Sequence, residues 1–405
     1  MKSNTLKNSN FILIVIGQII SLLGNGIIRF TLPLYLLQIT NSAATFGIVN
    51  AISFIPLIII MPIGGIIADR VNKKNIMIIL DFFTSILLFI FTILIDKIEI
   101  IPLIILTMMI LYCIQGIYQP AVQASIPFIL DDNILIKGNS IVNGVSNISN
   151  LLSPIISGFL FGNIDIKKIV IISSICFFIS AILELFIKMP HHQQNIQKQS
   201  IIKILENDTT ITLNYIFKQN TKLSKLILIT CILNTFISSL IIIALPILIT
   251  KNLNFTSQMY GIATSMLALG GLIGSIFTIS LKIEFKNLKQ CFSILTLSLI
   301  PLFIAPFLIN IKLLSFYLIL CSTFFVMCIA TIISILIMTY IQNNTPEDIV
   351  GKIISFLFTL SIFSQPFGQF LYGLAFEYAK NYESFIILIS IFISIFIKNY
   401  IKKIF

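Results

Sequence analysis

The chain has 405 residues, 57% of them hydrophobic and 10% charged, with a mean hydropathy of +1.05 and a net charge of +11. A soluble domain carries about a quarter charged residues, so this composition excludes a water-exposed globule and makes lipid the solvent for most of the surface. The positive charge does not indicate nucleic acid, because the lysines gather in short loops between apolar runs.

Twelve apolar runs long enough to cross a bilayer as helices fall near 10–37, 44–68, 75–95, 100–128, 139–162, 166–188, 223–250, 258–281, 289–310, 313–341, 349–376 and 382–401. The first follows Lys2 and Lys7. It is too long for a signal-peptide core and no small-residue cleavage site follows, so it reads as the first spanning helix. With the N-terminus in the cytoplasm, the outer loops hold only Lys97, Lys167, Lys168, Lys251, Lys312 and Lys380, and Arg29 lies within helix 1. Every other lysine and Arg70 fall inside, so the positive-inside rule places both termini in the cytoplasm of a bacterial inner-membrane protein.

The longest polar stretch, 189–222, divides the chain into two six-helix halves, 1–188 and 223–405. In it Ile201, Ile202, Leu205, Ile211, Leu213, Ile216 and Phe217 alternate with polar residues. That pattern fits either an amphipathic helix on the inner membrane surface or a plain covalent linker. The halves repeat weakly. Phe46-Gly47 matches Tyr260-Gly261, and Leu152-Ser153-Pro154 matches Ser364-Gln365-Pro366, at nearly equal separations. A parallel duplication is expected.

The six cysteines lie in apolar runs without a C-x-x-C pair, and His191 and His192 sit together in the central polar stretch. No metal site, cofactor or catalytic constellation is expected, and no P-loop lysine motif marks ATP as a direct driver. An enzyme is therefore the least supported class.

The strongest motif is Gly64-Gly65-Ile66-Ile67-Ala68-Asp69-Arg70-Val71-Asn72-Lys73-Lys74, in the tight inner loop between helices 2 and 3. Glycine permits close helix approach, and an acid at a helix end can pair with basic neighbours or with another helix's N-terminus. This run resembles the loop signature of the major facilitator superfamily, G-x-x-x-D-R-x-x-R-K, with Lys73 in place of an arginine. Gly17 to Gly26, Leu34-Tyr35, Thr40 to Ala43, Pro120-Ala121, Pro127, Asn139-Ser140, Ser153-Pro154, Asn214-Tyr215-Ile216 and Pro346 to Lys352 look like its macrolide-efflux and enterobactin-exporter-like branch. The resemblance covers nearly the whole chain. It implies an all-α membrane protein with the major facilitator fold, in which Gly65, Asp69, Arg70, Lys73 and Lys74 form a gating loop.

The chain also departs from that pattern. Asn25 stands where the branch commonly has Asp, and an amide carries no titrating proton. The superfamily's helix-4 arginine motif is reduced to Gln115-Gly116, with Tyr112 at the arginine position. The antiporter-type helix-5 motif is reduced to Ser153-Pro154-Ile155-Ile156-Ser157-Gly158, in which Pro154 and Gly158 survive. The corresponding run in the second half, Lys282 to Lys289, keeps basic charge without the Gly and Asp pattern.

Polar rows lie along three helices at helical spacing: Gln18, Ser21, Asn25 and Arg29 in helix 1; Tyr112, Gln115, Gln119 and Gln123 in helix 4; Thr230, Asn234 and Ser238 in helix 7. Facing lipid they would go unsatisfied, so they point inward, to a wet cavity or to neighbouring helices. The resemblance places helices 1, 4, 7 and 10 around a central substrate site. The polar face of helix 5, from Asn139 through Asn143 and Asn150 to Ser157, is expected to pack and gate against the other half. Three charges lie within spans. Arg29 either lines the cavity or snorkels outward. Asp81 is a candidate proton site or a member of an Asp69/Arg70 network. Glu184 has Lys188 four residues on and is expected to form a local ion pair.

The expected function is export of small amphipathic molecules, drug-like or siderophore-like, by alternating access, with protons as the coupling ion implied by the resemblance. A monomer in a lipid bilayer is expected, with no nucleic acid partner. An importer or uniporter of a metabolite, and a transport-inactive sensor or scaffold, stand as alternatives.

Overall fold

The computed structural model describes residues 6, 8–188, 212–213, 215–281, 283–379 and 382–404. Among them, twelve helices are long and apolar enough to cross a membrane. In chain order they are α1 (Ser9–Thr40), α2 (Ala43–Arg70), α3 (Lys73–Leu94), α4 (Ile100–Ile129), α5 (Asp132–Asn163), α6 (Ile166–Leu185), α7 (Thr221–Asn252), α8 (Ser257–Ser280), α9 (Phe285–Leu308), α10 (Lys312–Asn343), α11 (Glu347–Tyr378) and α12 (Glu383–Ile404). Helices are the solution lipid demands, since each backbone N–H and C=O must find its partner within the segment.

Helix α3 shows how such a sequence chooses its faces. It is apolar nearly all round, so burial follows size and polarity. Asp81, Thr84, Ser85, Leu88 and Phe91 are buried against the bundle, while Ile79, Phe83, Ile86, Ile90 and Ile93 stay exposed to form the lipid face. The Asn72 side chain caps its start by accepting from the Lys74 amide at 3.1 Å. Asp165 caps α6 in the same way, from the Lys167 amide at 2.8 Å. Serines then join α3 to α6, with Ser174 Oγ donating to the Ser85 carbonyl at 2.8 Å.

The chain forms two compact units, residues 1–40 with 52–198, and residues 41–51 with 199–405. The division differs from the expected halves in grouping 41–51 with the second unit. There the backbones of Gly47 and Gly373 meet, and a Cβ on Gly47 would lie 2.6 Å from the Gln369 carbonyl. Glu377 Oε2 also accepts from the Ala43 and Ala44 amides at 2.7 and 3.4 Å, placing a carboxylate on the positive end of α2.

Helix α7 departs from regular geometry. It widens into π-type turns at Asn234–Ser238 and Ile247–Asn252. A glycine on α11 occupies the first of these, because a Cβ on Gly368 would lie 1.9 Å from the Thr235 carbonyl. Thr235 Oγ1 and Ser239 Oγ donate to the carbonyls of Ser364 and Gln365 at 3.1 and 2.8 Å, so the Ser364-Gln365-Pro366 run is fastened to α7. In the first unit, Ser153 of the matching run on α5 packs on Gly26 of α1. At that residue the helix-5 motif packs against α1 of its own unit. Gly26 provides the room there, and Pro154 and Gly158 are buried beside Ser153.

Of the central stretch, residues 189–211 and 214, including His191 and His192, lie outside the described residues. Tyr215–Gln219 form one further wide turn, in which Ile216 is buried.

Candidate functional site

Four helices of the first unit, α1, α3, α4 and α6, surround a narrow cleft of about 20 Å³ lined by Ser21, Asn25, Asp81, Thr84, Gln115, Tyr118 and Gln119, with Leu22, Leu111, Ile114 and Phe177 as its apolar wall. The helical spacing of Ser21 and Asn25 brings both onto the face of α1 that meets α4. Gly17, on the neighbouring face, lets α6 approach closely, since a Cβ there would lie 3.3 Å from Ser180 Oγ and 3.6 Å from Glu184 Cγ.

Hydrogen bonds thread the inner wall of this cleft. Tyr118 donates its hydroxyl proton to Glu184 Oε1 at 2.8 Å, and Ser21 Oγ lies 3.3 Å from the same hydroxyl. Asp81 is 2% exposed and Glu184 0%. Asp81 Oδ2, Glu184 Oε2, Asn25 Oδ1 and Gln115 Oε1 have no hydrogen-bond partner among the described residues. Gln18, three residues before Ser21, is 1% exposed and leaves both amide atoms unpaired. Buried polar atoms in this state are costly unless a ligand, water or proton meets them.

Arg29 occupies the next stage of the α1 row. Its guanidinium carbon lies 4.0 Å from the centre of the Tyr112 ring, and Phe54 braces that ring edge-on at 4.7 Å. The arginine is partly buried, with Nε and Nη2 unpartnered. Stacking over an aromatic face suits a planar cation and leaves its N–H edges available to an acceptor.

The helix-7 row is arranged differently. Thr230 Oγ1 donates to the Leu226 carbonyl at 2.9 Å and Asn234 Nδ2 to the Thr230 carbonyl at 3.1 Å. Thr230 also borders an open cleft of about 300 Å³ in the second unit, with Ser334, Met338, Thr339 and Gln342. Asn234 and Ser238 do not line it.

Of the loop motif, Gly65, Asp69 and Arg70 fall in the last turns of α2, where the side chains of Asp69 and Arg70 and the surroundings of Gly65 lie outside what the structure describes. Lys73 is buried with its amine 4.7 Å from the Phe128 ring centre, and Lys74 donates to the Leu185 carbonyl at 2.8 Å. The loop's lysines thus tie α3 to α4 and to the end of α6.

One expectation needs correction. Glu184 does not pair with Lys188, because α6 ends at Leu185 and Lys188 lies beyond the helix, exposed, where a four-residue helical register no longer applies. Asp81 lines the cleft together with Thr84 of its own helix and Tyr118 of α4. Tyr118, Thr84, Ser180 and Glu184 were not singled out as site residues from the sequence. The four-residue spacing of Ser180 and Glu184 on one face of α6 was the available signal. Among the described residues no cluster of three or more His, Cys, Asp or Glu could hold a metal ion.

Comparison with known proteins agrees with this architecture. The chain is 23% identical over 261 residues to macrolide efflux protein A of Streptococcus pyogenes, covering 64% of each. It is 24% identical over 269 residues to the staphyloferrin A transporter of Staphylococcus aureus, covering 63% of each. The chain thus matches just under two thirds of the length of these curated relatives. A mutant of the nucleoside transporter NupG superposes with a TM-score of 0.76 at 15% identity, over 98% of this chain and 100% of that one. At that identity the likeness speaks for the fold. The family profile described as Major Facilitator Superfamily matches residues 14–396. With twelve apolar helices beneath that nearly end-to-end match, the chain is an all-α multi-pass membrane protein and belongs to the Major Facilitator Superfamily.

Proposed function

We propose that this chain exports small amphipathic molecules across the bacterial inner membrane by alternating access, that protons drive it, and that both its termini face the cytoplasm. The observation that carries this reading is Arg29, a guanidinium held over Tyr112 within a spanning helix with two nitrogens lacking partners. An ionisable group at such depth is costly to keep and is by default functional. Its N–H groups without a partner among the described residues suit an anionic or electron-rich part of a substrate. The partial likeness to a macrolide efflux protein supports the outward direction. The gating role read into Asp69 and Arg70 belongs to the same proposal.

The direct test is accumulation. A panel of macrolides, siderophores and metabolite anions is first screened by thermal stabilisation of the purified protein. The strongest binder is then offered to inside-out membrane vesicles. Export predicts that energised vesicles concentrate it and that a protonophore releases it. Concentration only in right-side-out vesicles favours the importer that Asn25, in place of the branch's aspartate, would suit. Binding without flux in either orientation would identify a sensor.

A further inference from the structure

We propose that Asp81 and Glu184 together form one proton-binding site, holding a single exchangeable proton between α3 and α6, with the Tyr118 hydroxyl as its fixed hydrogen-bond partner. The proposal rests on proton-driven export and assigns the groups that carry the proton. Three observations lead to it.

The first is a shortage of donors. Asp81 Oδ2, Glu184 Oε2, Asn25 Oδ1 and Gln115 Oε1 are all acceptors, and all lack partners among the described residues. Against them stands one orphaned side-chain donor of the same region, Gln18 Nε2, and a proton on a carboxyl would supply a second.

The second is the accounting of hydroxyl protons. Ser180 donates its one hydroxyl proton to the Gly17 carbonyl at 3.0 Å. Its oxygen is also within hydrogen-bond reach of Asp81. A hydroxyl has one proton to donate, so while it is turned to Gly17 the Ser180 oxygen is free to accept a proton from Asp81, and it can rotate to donate once Asp81 is ionised. Tyr118 meanwhile donates to Glu184, which therefore acts as the acceptor member of the pair.

The third is charge. Both carboxyls are buried, and Tyr118, which lines the cleft beside Asp81, is bonded to Glu184. Two buried carboxylates cannot both stay ionised at low cost without a cation. The groups around them are neutral: Gln18, Ser21 and Asn25 from α1, Thr84 from α3, Gln115, Tyr118 and Gln119 from α4, and Ser180 from α6. The cations of adjoining segments are engaged elsewhere. Lys73 lies over Phe128, Lys74 donates to the Leu185 carbonyl, Lys188 is exposed, and Arg29 lies over Tyr112. None forms an ion pair with Asp81 or Glu184 among the described residues.

The cleft supplies the route. Asp81 and Tyr118 line it, and Asn25 lines it one helical turn before Arg29. A proton arriving through the cleft reaches Asp81, and the pair then carries one fewer negative charge. When it leaves, the pair becomes a dianion within the unit that also bears Arg29.

Infrared difference spectroscopy of the purified full chain, with pH raised stepwise, tests this without any substrate. The wild type is expected to lose one protonated-carboxyl C=O band as pH rises. Asp81→Asn and Glu184→Gln should each shift or remove that same band, and the double variant should abolish it. Tyr118→Phe should move its frequency without removing it, which keeps the test valid if the double variant does not fold. Asp96→Asn, at an exposed acid paired with Lys167, should leave it unchanged. A band of full amplitude in the double variant, no protonated carboxyl in the wild type, or two bands that the single variants remove independently would each overturn the shared site. Vesicle flux is read separately. Absence of export with the band present would sink the exporter reading alone, and export without the band would sink the proton pair alone.

Discussion

The α1–α5 crossing in the first unit and the α7–α11 crossing in the second are corresponding joints with the parts exchanged. In the first, the glycine is Gly26 on α1, and it receives Ser153 from α5. In the second, the glycine is Gly368 on α11, and it receives Thr235 and Ser239 from α7. The first joint is closed by a side chain against a glycine. The second is closed by a glycine against a backbone carbonyl, and two hydroxyls fasten it. The contrast continues inside the units. Among the described residues, the buried charged side chains Lys73, Asp81 and Glu184 all lie in the first unit. In the second, buried hydroxyls end on backbone carbonyls, as Ser239 does on Gln365, Ser390 on Phe236 and Ser322 on Ser298. Among the described residues, buried charge is thus confined to the first unit, while unpartnered buried polar atoms occur in both, with Ser361 Oγ and Gln369 Oε1 in the second.

The largest effect should come from the joints themselves. Gly368→Ala would put a Cβ 1.9 Å from the Thr235 carbonyl, an atom fixed in the helix backbone. A loss of about 3 kcal/mol is expected, at the upper end of overpacking penalties, and would be read as a lowered melting temperature in detergent. Gly26→Ala meets Ser153 Oγ and Cβ at 2.3 and 2.4 Å; the hydroxyl can rotate away and the Cβ needs a helix shift, but the overlap is less deep than at Gly368, so its loss should be smaller. Equal losses would mean that the joints do not differ in this way.

Next in size is the loop between α2 and α3. Asp69→Asn should slow transport by about 1–3 kcal/mol of coupling while leaving membrane insertion intact. Neutralising Glu284, in the corresponding loop of the second half, should have no such effect, because it forms an exposed pair with Lys286. Matched transport rates for wild type and Asp69→Asn would remove the gating role.

Smaller still is Ser239→Ala. It deletes one hydroxyl-to-carbonyl bond, worth about 1 kcal/mol, and should lower stability without changing ligand affinity. An altered affinity would place chemistry in the second unit.

Much of the fold was legible in the sequence, because lipid imposes long apolar runs and the loop signature is local. The repeat was legible only at its ends. Asn41 and Asn254, both at positive φ in the turns before α2 and α8, mark a further correspondence that no pattern of apolar residues reveals. The candidate site was legible in part. Helical spacing brought Ser21, Asn25, Gln115 and Gln119 to one cleft. It misjudged Glu184, because a four-residue spacing to Lys188 has meaning only while the helix continues. It passed over Tyr118, whose role depends on α6 crossing near it. It treated α7 as regular, whereas the wide turn at Asn234–Ser238 arises from its packing with Gly368.

The central claim, that the first unit's buried charge chemistry binds the substrate while the second unit's hydroxyls hold the fold, is tested most directly by one melting experiment. The strongest binder from the ligand panel is added to wild type, Arg29→Gln, Arg29→Lys and Ser239→Ala, and each variant is melted with and without it. Arg29→Gln should melt like wild type when empty but lose most of the ligand-induced shift, through loss of a charge-assisted hydrogen bond worth about 1.5–3 kcal/mol. Arg29→Lys should recover only part of the shift, since lysine lacks the guanidinium fork. Ser239→Ala should melt lower when empty and keep the full shift. A full ligand shift in Arg29→Gln, or complete rescue by lysine, would contradict the account.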